Sequence, residues 1–522
     1  MSNTETKEKN RKPFFYDVTL RDGNQALRNP WNLQEKELVF RQLIKLGVPG
    51  IEVSYPGASD MDFEAAQHLA RLAPKGVVIG GLARAVEKDI VRAWEAVQLA
   101  DNPRIHVFLA SSPFTMENVL RMTPQQVMKR AVEAIALCRK IMGGRGSIQY
   151  SAEHFGDSRE NLDFVIELFQ AVVAEGAHVI NLPNTVERYR PKFFVEMVEK
   201  VAKALPPQVT IAVHTHNDLG MATATTVESY YAGATQLETA LNGLGERAGN
   251  TNMYEVACAL ANCGEEVPIN MEEIYETALL VSEWSNVAIY EKAPLVGSDV
   301  VAHRSGIHQD GATKTKGMKK GAYRAIDSSM IGRKESDRLG FTSQSGKTAV
   351  FEIIHGMGLP ITIEEAAGLQ PLLKKASEQS GQGELNAEEI LKVYDQEILN
   401  VRGPLEFKGI RMEPSEKEFH FDVVFQGKAQ SLAGQGTGPI DACMHALEKV
   451  GLYFHLVEYS QMALDIEHLD FAAYALSEIK IQRKPAQGAA PEGPAVIGRG
   501  KDMDTIKANV RALFNGMNQL LK

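Results

Sequence analysis

An α/β fold is predicted for this chain: a (β/α)8 barrel followed by helical linker subdomains and a C-terminal α+β module. Three observations carry the barrel. Eight short, β-prone apolar runs recur up to residue 241. Amphipathic stretches of helical period separate them. A polar, chemistry-bearing residue stands within a residue or two of most run ends. The runs are FFYDVTL (14–20), GIEVSYP (50–56), VVIGGLA (77–83), RIHVFLA (104–110), SIQYSA (147–152), HVINLP (178–183), VTIAVH (209–214) and TQLETAL (235–241). In LQEKELVFRQLIKLG (33–47) and NLDFVIELFQAVVAEG (161–176) apolar residues return every three to four positions. Each of these stretches closes on the glycine expected just past a helix C-terminus. An open, doubly wound parallel sheet gives the same rhythm, because periodicity does not report closure.

In a parallel barrel the C-terminal strand ends open on one face, where the chemistry is placed. Arg21 and Asp22 follow the first run, Glu52 lies in the second and Arg84 follows the third. His106 lies in the fourth, with Ser111 beyond it; Ser151 and Glu153 end the fifth and Thr185 follows the sixth. His214 and His216 end the seventh, and Asn242, Glu246 and Asn250 follow the eighth. Side chains alternate along a strand, so His214 and His216 share a face and can share a metal ion. Taken alone, they could equally be solvated polar tips. With Asp22 across the barrel mouth they make a mixed N/O site that leaves positions open for substrate, the pattern of a catalytic metal. No cysteine is near, so Mn2+, Mg2+ and Zn2+ all suit it. Arg21 would stand beside the ion to meet a developing oxyanion.

Past residue 285 the rhythm changes. PLVGSDVVAHRSGIHQDG (294–311) is not another strand–helix unit, and residues 363–400 read as helical with a polar linker at SEQSGQGEL (377–385). EFHFDVVFQG (418–427) alternates like a strand. Two Gly-rich turns, AGQGTGPIDA (433–442) and VIGRGKDMDTI (496–506), each open a helix, which suggests an internal duplication. Helix N-termini with glycines can accept an anionic group. QRKPAQGAAPEGP (482–494) reads as a mobile loop. The organisation expected is therefore a catalytic barrel over 1–285, linker subdomains over 286–402 and a regulatory domain over 403–522.

Composition narrows the function classes. With 44% hydrophobic and 23% charged residues the chain is ordinary for a soluble globular protein, and its net charge of −10 argues against general nucleic-acid affinity. Four cysteines without a CxxC pair fit a reducing, cytoplasmic compartment. The polar start, MSNTETKEKNRKP, does not read as a secretory signal, and no apolar run is long enough to span a bilayer.

The motifs YDVTLRDGNQ (16–25), HTHNDLG (214–220), NGLGERAGN (242–250) and HRSGIHQDG (303–311) resemble those of the metal-dependent Claisen-condensing enzymes typified by 2-isopropylmalate synthase. Homocitrate and citramalate synthases belong to the same family. GQGTGPIDA (434–442) is similar to its leucine-binding regulatory domain. The resemblance implies Asp22, His214, His216 and Asn250 at the metal, Mn2+ ahead of Mg2+ or Zn2+, with K+ as a further candidate cofactor. It implies Arg21, Glu153, His308 and Tyr323 as catalytic groups, and Arg21, His106, Ser151 and Thr185 around the 2-oxo acid. It also implies Gly434, Gly436, Gly438 and Asp441 at a leucine site, and a homodimer in which the subdomain carrying His308 and Tyr323 completes the neighbour's site.

The reaction implied joins acetyl-CoA to 2-oxoisovalerate and hydrolyses the thioester to 2-isopropylmalate and CoA, the first committed step towards leucine. SAEHFGD (151–157) and NLPNTVERYRP (181–191) depart from the common pattern near the expected pocket. That keeps pyruvate (citramalate synthase) and the homocitrate reaction open. A lyase or aldolase on the same barrel is a more distant alternative, disfavoured by the long segment after residue 400. A retired barrel acting as a sensor is disfavoured by the intact polar set.

Overall fold

The computed structural model describes residues 11–522 except 319, 335–336, 382, 400, 402, 414–417 and 465–473; the polar stretch 1–10 lies outside the described residues. Eight parallel strands close into a barrel in sequence order: β1 (Phe14–Asp17), β2 (Gly50–Ser54), β3 (Val78–Arg84), β4 (Asn102–Ala110), β5 (Ser147–Glu153), β6 (Val179–Asn184), β7 (Thr210–Thr215) and β8 (Gln236–Thr239). Closure is made by β1 on β8, with Tyr16 opposite Glu238. This decides against the open sheet. Each strand falls within or beside one of the eight apolar runs.

Helices α1 (Leu33–Lys45), α2 (Asp60–Leu72), α3 (Glu87–Val97), α4 (Pro124–Met142), α5 (Leu162–Glu175), α6 (Pro191–Ala204), α7 (Ala222–Tyr231) and α8 (Met253–Asn262) wrap the barrel. Their starts are chemically marked. Asn32 with Glu35, and Thr123 with Gln126, form reciprocal caps that satisfy otherwise orphaned N–H groups. Gly47 and Gly176 take positive φ just past α1 and α5, as their position requires.

The chain divides into two compact units: Met1–Val301 with Arg324–Ser336, and Ala302–Tyr323 with Asp337–Lys522. The first extends past residue 285 because Val296 and Ile331 are buried in the same apolar core as the barrel helices. The second begins with α9 (Gly306–Lys314) and contains two apolar cores. One is helical, built from α10 (Lys347–Gly356), α11 (Ile363–Ser380) and α12 (Ala387–Tyr394), with Ile354, Leu369, Leu373 and Tyr394 inside.

The other core is the C-terminal module, a three-strand-plus-helix unit made twice. β9 (Leu405–Glu413), β10 (Glu418–Phe425) and β11 (Lys428–Gln435) lead to α13 (Pro439–Glu448). β12 (Tyr453–Leu464), β13 (Tyr474–Lys484) and β14 (Glu492–Asp502) lead to α14 (Thr505–Leu520). The duplication expected from the two glycine motifs is thus a repeat of antiparallel sheet plus helix.

Two local expectations change. The stretch 482–494 is a hairpin connection whose ends lie inside β13 and β14, because the alternation of Ile479 and Ile481 into the core carries the strand on to Lys484. The glycines of 496–500 stand within β14, not in a turn. A Cβ at Gly434 would run into the Ala442 carbonyl of α13, and one at Gly436 into the Ala442 N–H. In the second repeat, a Cβ at Gly498 or Gly500 would strike the α14 backbone at Ala512. These four glycines let helix and strand approach backbone to backbone. Gly438, at the N-cap of α13, faces open space.

Gly498→Ala should therefore destabilise the second unit by about 1–3 kcal/mol, whereas Gly438→Ala should change stability by no more than about 0.5 kcal/mol. Thermal unfolding of the two variants against the parent checks the contrast. Equal midpoints for both would contradict the packing role.

Candidate active site

Inside the barrel the side chains form polar layers where apolar residues usually fill the space. In the lowest layer the Arg104 guanidinium donates to Gln149 Oε1 (3.1 Å) and Gln236 Oε1 (2.7 Å), and to Ser147 Oγ (2.9 Å). Gln149 Nε2 passes the network upward to Glu238 Oε1 at 2.6 Å. One layer higher, His106 spans Glu52 (Nδ1–Oε1, 2.6 Å) and Ser151 (Nε2–Oγ, 2.6 Å), and Asn181 Nδ2 donates to Ser151 Oγ at 2.8 Å. At the top Arg21 Nε donates to Glu52 Oε2 at 2.9 Å, and its Nη1 lies 3.4 Å from Asp22 Oδ2. Alternation explains the layering: Arg104, His106 and Phe108 are i, i+2 neighbours on β4, as are Gln149, Ser151 and Glu153 on β5.

The sequence-derived metal set meets here. His214 Nε2 is 3.2 Å from His216 Nε2 and 3.5 Å from Asp22 Oδ2, and His216 Nε2 is 3.6 Å from the same oxygen. The point equidistant from three atoms so spaced is about 2 Å from each, the bond length of a divalent ion to N and O donors. All three residues are buried. Glu238, fully buried on β8, faces His214 Nδ1 at 3.1 Å. A carboxylate on Nδ1–H leaves the Nε2 lone pair for a metal.

Asn250 is anchored beside them. Its backbone bridges to His216, and its Nδ2 donates to the Leu244 carbonyl at 3.0 Å. Its Oδ1 is buried without a hydrogen-bond partner, an oxygen available as a further ligand. The donors thus fit a divalent cation.

Charge is tightly arranged around the triangle. Burial opposes ionisation of Asp22, but Arg21 and the two histidines hold its carboxyl well below the ordinary carboxylate range. Burial likewise opposes a charged His214, yet hydrogen bonds to Asp22 and Glu238 push it up to about 9. His216 goes the other way, to about 3, through burial and the charge on His214. In the metal-free protein the imidazole pair therefore carries one positive charge, on His214.

A cavity of about 410 Å³ opens on this cluster. Arg21, Asp22, His106, Ser151, Glu153, Thr185, His214 and His216, all singled out in the sequence, line it together. Glu153 is held above the usual carboxylate range, mainly by burial, with His154 and Arg21 pulling it partly back. The Thr185 hydroxyl accepts from the His154 N–H at 2.9 Å. His154 sits in the left-handed region with its Nδ1 3.3 Å from Asp157, and does not line the cavity.

His308 and Tyr323 belong to the second unit, where their rings stack at 4.1 Å. Gly434, Gly436, Gly438 and Asp441 are also in that unit, and Asp441 accepts from the Thr437 N–H (2.8 Å) and hydroxyl (3.0 Å). Sequence reasoning missed Tyr55, Asn181, Glu238 and Arg247 in the cavity wall. For Glu238 a signal existed: Gln236 and Glu238 are two polar residues, i and i+2, inside an apolar run.

Metal uptake by the metal-free protein at pH 7 should release about one proton per site. Because the proton on His214 competes with the metal, affinity should fall about tenfold per pH unit below the His214 pKa of about 9. Mn2+ titration calorimetry in buffers of different ionisation enthalpy measures both. Glu238→Gln should weaken metal binding by about 10–100-fold. Uptake with no proton released would overturn the charge assignment.

Comparison with known proteins agrees with this geometry. Residues 12–281 match the HMGL-like family, 298–355 the alpha-isopropylmalate synthase post-catalytic domain-like family, and 384–521 the LeuA allosteric (dimerisation) domain. The 2-isopropylmalate synthase 2 of Leptospira interrogans is 60% identical over 378 residues, 72% of this chain and 88% of that protein. The 2-isopropylmalate synthase of Nitratidesulfovibrio vulgaris is 35% identical over 526 residues, 97% of this chain and 96% of that one. That of Carboxydothermus hydrogenoformans is 35% identical over 524 residues, 97% of each. With its barrel, its post-catalytic segment and its C-terminal module all matched, and with synthases aligned along nearly its whole length, the chain belongs to the 2-isopropylmalate synthase family of acyltransferases.

Proposed function

We propose that this chain condenses acetyl-CoA with 2-oxoisovalerate and hydrolyses the resulting thioester, releasing 2-isopropylmalate and CoA. The observation that carries the reading is one cavity in which the Asp22–His214–His216 triangle, Arg21 and Glu153 converge. A divalent ion bound at the triangle, Mn2+, Mg2+ or Zn2+, supplies Lewis-acid polarisation of the keto group. Arg21 is pinned by Glu52 and Asp22 and presents its guanidinium to the oxygen that gains charge as the C–C bond forms. Glu153, a carboxylate made more basic by burial, takes the α-proton of the acetyl group. His106, Ser151 and Thr185 hold the 2-oxo acid's polar end. Leu82, Phe108 and Pro183 offer its alkyl group an apolar wall.

The C-terminal module, in this reading, binds leucine and lowers turnover, and the enzyme works as a cytoplasmic homodimer. A cleft of about 620 Å³ in that module is lined by Thr437, Gly438, Asp441, Met444, His455 and Tyr459. The N-terminus of α13 opens on it, a favourable place for a carboxylate. No helix among the described residues is long and apolar enough to cross a membrane.

Thiol release from acetyl-CoA over pyruvate, 2-oxobutyrate, 2-oxoisovalerate and 2-oxoglutarate tests the acceptor. Each buried methyl is worth about 1 kcal/mol, so 2-oxoisovalerate should exceed pyruvate in kcat/KM by some tens-fold. A higher value for pyruvate would make this a citramalate synthase. Arg21→Lys, which keeps the charge and loses the planar fork, should lower kcat by about 10²-fold.

Regulation has its own test. Gly438→Asp places a negative charge where the effector carboxylate is expected, at a position with space for it. The variant should keep its turnover and lose inhibition by leucine; undiminished sensitivity would put the effector elsewhere.

A further inference from the structure

Arg104 is a buried cation that forms no ion pair with any carboxylate among the described residues. Its hydrogen bonds go to neutral oxygens, those of Ser147, Gln149 and Gln236. The Tyr16 ring faces the guanidinium with its centroid 5.0 Å away, and Gly80 leaves room for that ring, since a Cβ there would strike the Tyr16 hydroxyl. A buried charge served by neutral acceptors is costly. An apolar layer would close this end of the barrel without that cost.

What the guanidinium does supply is direction. Arginine donates and never accepts, so the amides that meet it must present their oxygens. Gln149 Oε1 accepts from Arg104 (3.1 Å) and from Gln236 Nε2 (2.9 Å), and Gln236 Oε1 accepts from Arg104 (2.7 Å). The NH2 end of Gln149 is thereby turned to Glu238 Oε1 at 2.6 Å, with the His106 ring beside it at 3.2 Å. Turned end for end, the same amide would set its NH2 against the guanidinium and its oxygen against the Glu238 carboxylate. With Oε1 so occupied, Glu238 offers Oε2 to His214 Nδ1 at 3.1 Å. Every bond from Arg104 to the imidazole runs one way.

We infer that Arg104 is a positioning residue for the metal: by fixing the Gln149 amide it fixes the Glu238 carboxylate, and with it the His214 ring whose Nε2 faces the ion. It touches neither the ion nor the substrate, and acts through two side chains. Groups behind a metal ligand set its orientation and its affinity for the ion, and in a buried network each bond constrains the next. The inference rests on the reading of Asp22, His214 and His216 as a divalent-metal site.

The test is a double-mutant cycle on the full-length, metal-free protein, read by Mn2+ titration calorimetry and needing no turnover. Arg104→Met should raise the Kd for Mn2+ about tenfold. In the Glu238→Gln background the same substitution should change Kd by no more than about twofold, because the link it breaks is already gone. A purely structural Arg104 would lower the unfolding midpoint in both backgrounds and leave the Kd of the folded protein alone. Gln149→Met, which keeps the guanidinium and Gln236 in place, gives the same comparison if loss of Arg104 prevents folding. A Kd that stays at the parent value, or that rises equally in the two backgrounds, would overturn the assignment. A parent protein that takes up no Mn2+ would instead refute the metal site itself.

Discussion

Buried charge governs the barrel. Asp22, Glu52 and Glu238 are nearly inaccessible, and an isolated carboxylate there would be unaffordable in free energy. Each is matched: Arg21 bridges Asp22 and Glu52, and His214 lies between Asp22 and Glu238. Arg104 completes the balance from below through Gln149 and Gln236. Because every member is bonded to the next, the network has few alternative arrangements, and it holds the two imidazoles and Asp22 at ligand spacing. The same pairing orients Arg21. Stability of the interior and geometry of the site are one set of contacts.

The second unit relies on a different constraint, close backbone approach. In both halves of the C-terminal module a Gly-x-Gly pair lies against a helix segment with alanine at its contact points, Ala442 and Ala446 in one, Ala508 and Ala512 in the other. Removing side chains on both surfaces lets strand and helix pack at minimal separation. Helix α14 adds polar contacts: Asn515 donates to the Ile398 and Leu399 carbonyls, and Asn518 brackets Leu405. Arg499, buried, joins Glu478 of β13 to Glu365 of α11. The module and the helical subdomain before it are thus tied by buried hydrogen bonds, which lose strength steeply if misaligned.

Much of the fold and part of the site were legible in the sequence because both are written in short-range patterns. Period-two and period-3.6 apolar spacing marked all eight strands and the helices between them, and Gly47 and Gly176 marked helix ends. His214 and His216 could be paired because alternation is a local rule. The C-terminal duplication was visible in two similar glycine motifs, but their meaning was not: glycine is used alike for turns and for close packing, and only the neighbour distinguishes them.

What the sequence by itself determined, then, was the order and type of elements and the chemical inventory at strand ends. The tertiary structure decided which members of that inventory meet. Closure of β1 on β8 joins residues more than two hundred positions apart, and no local propensity encodes such a pairing. That closure makes Asp22 a partner of His214 and His216. Polar residues such as Gln236 and Glu238 look misplaced in an apolar run until the opposite wall supplies Arg104 and the neighbouring strand His214, because the free energy of a buried polar group depends on its partners and not on its own identity.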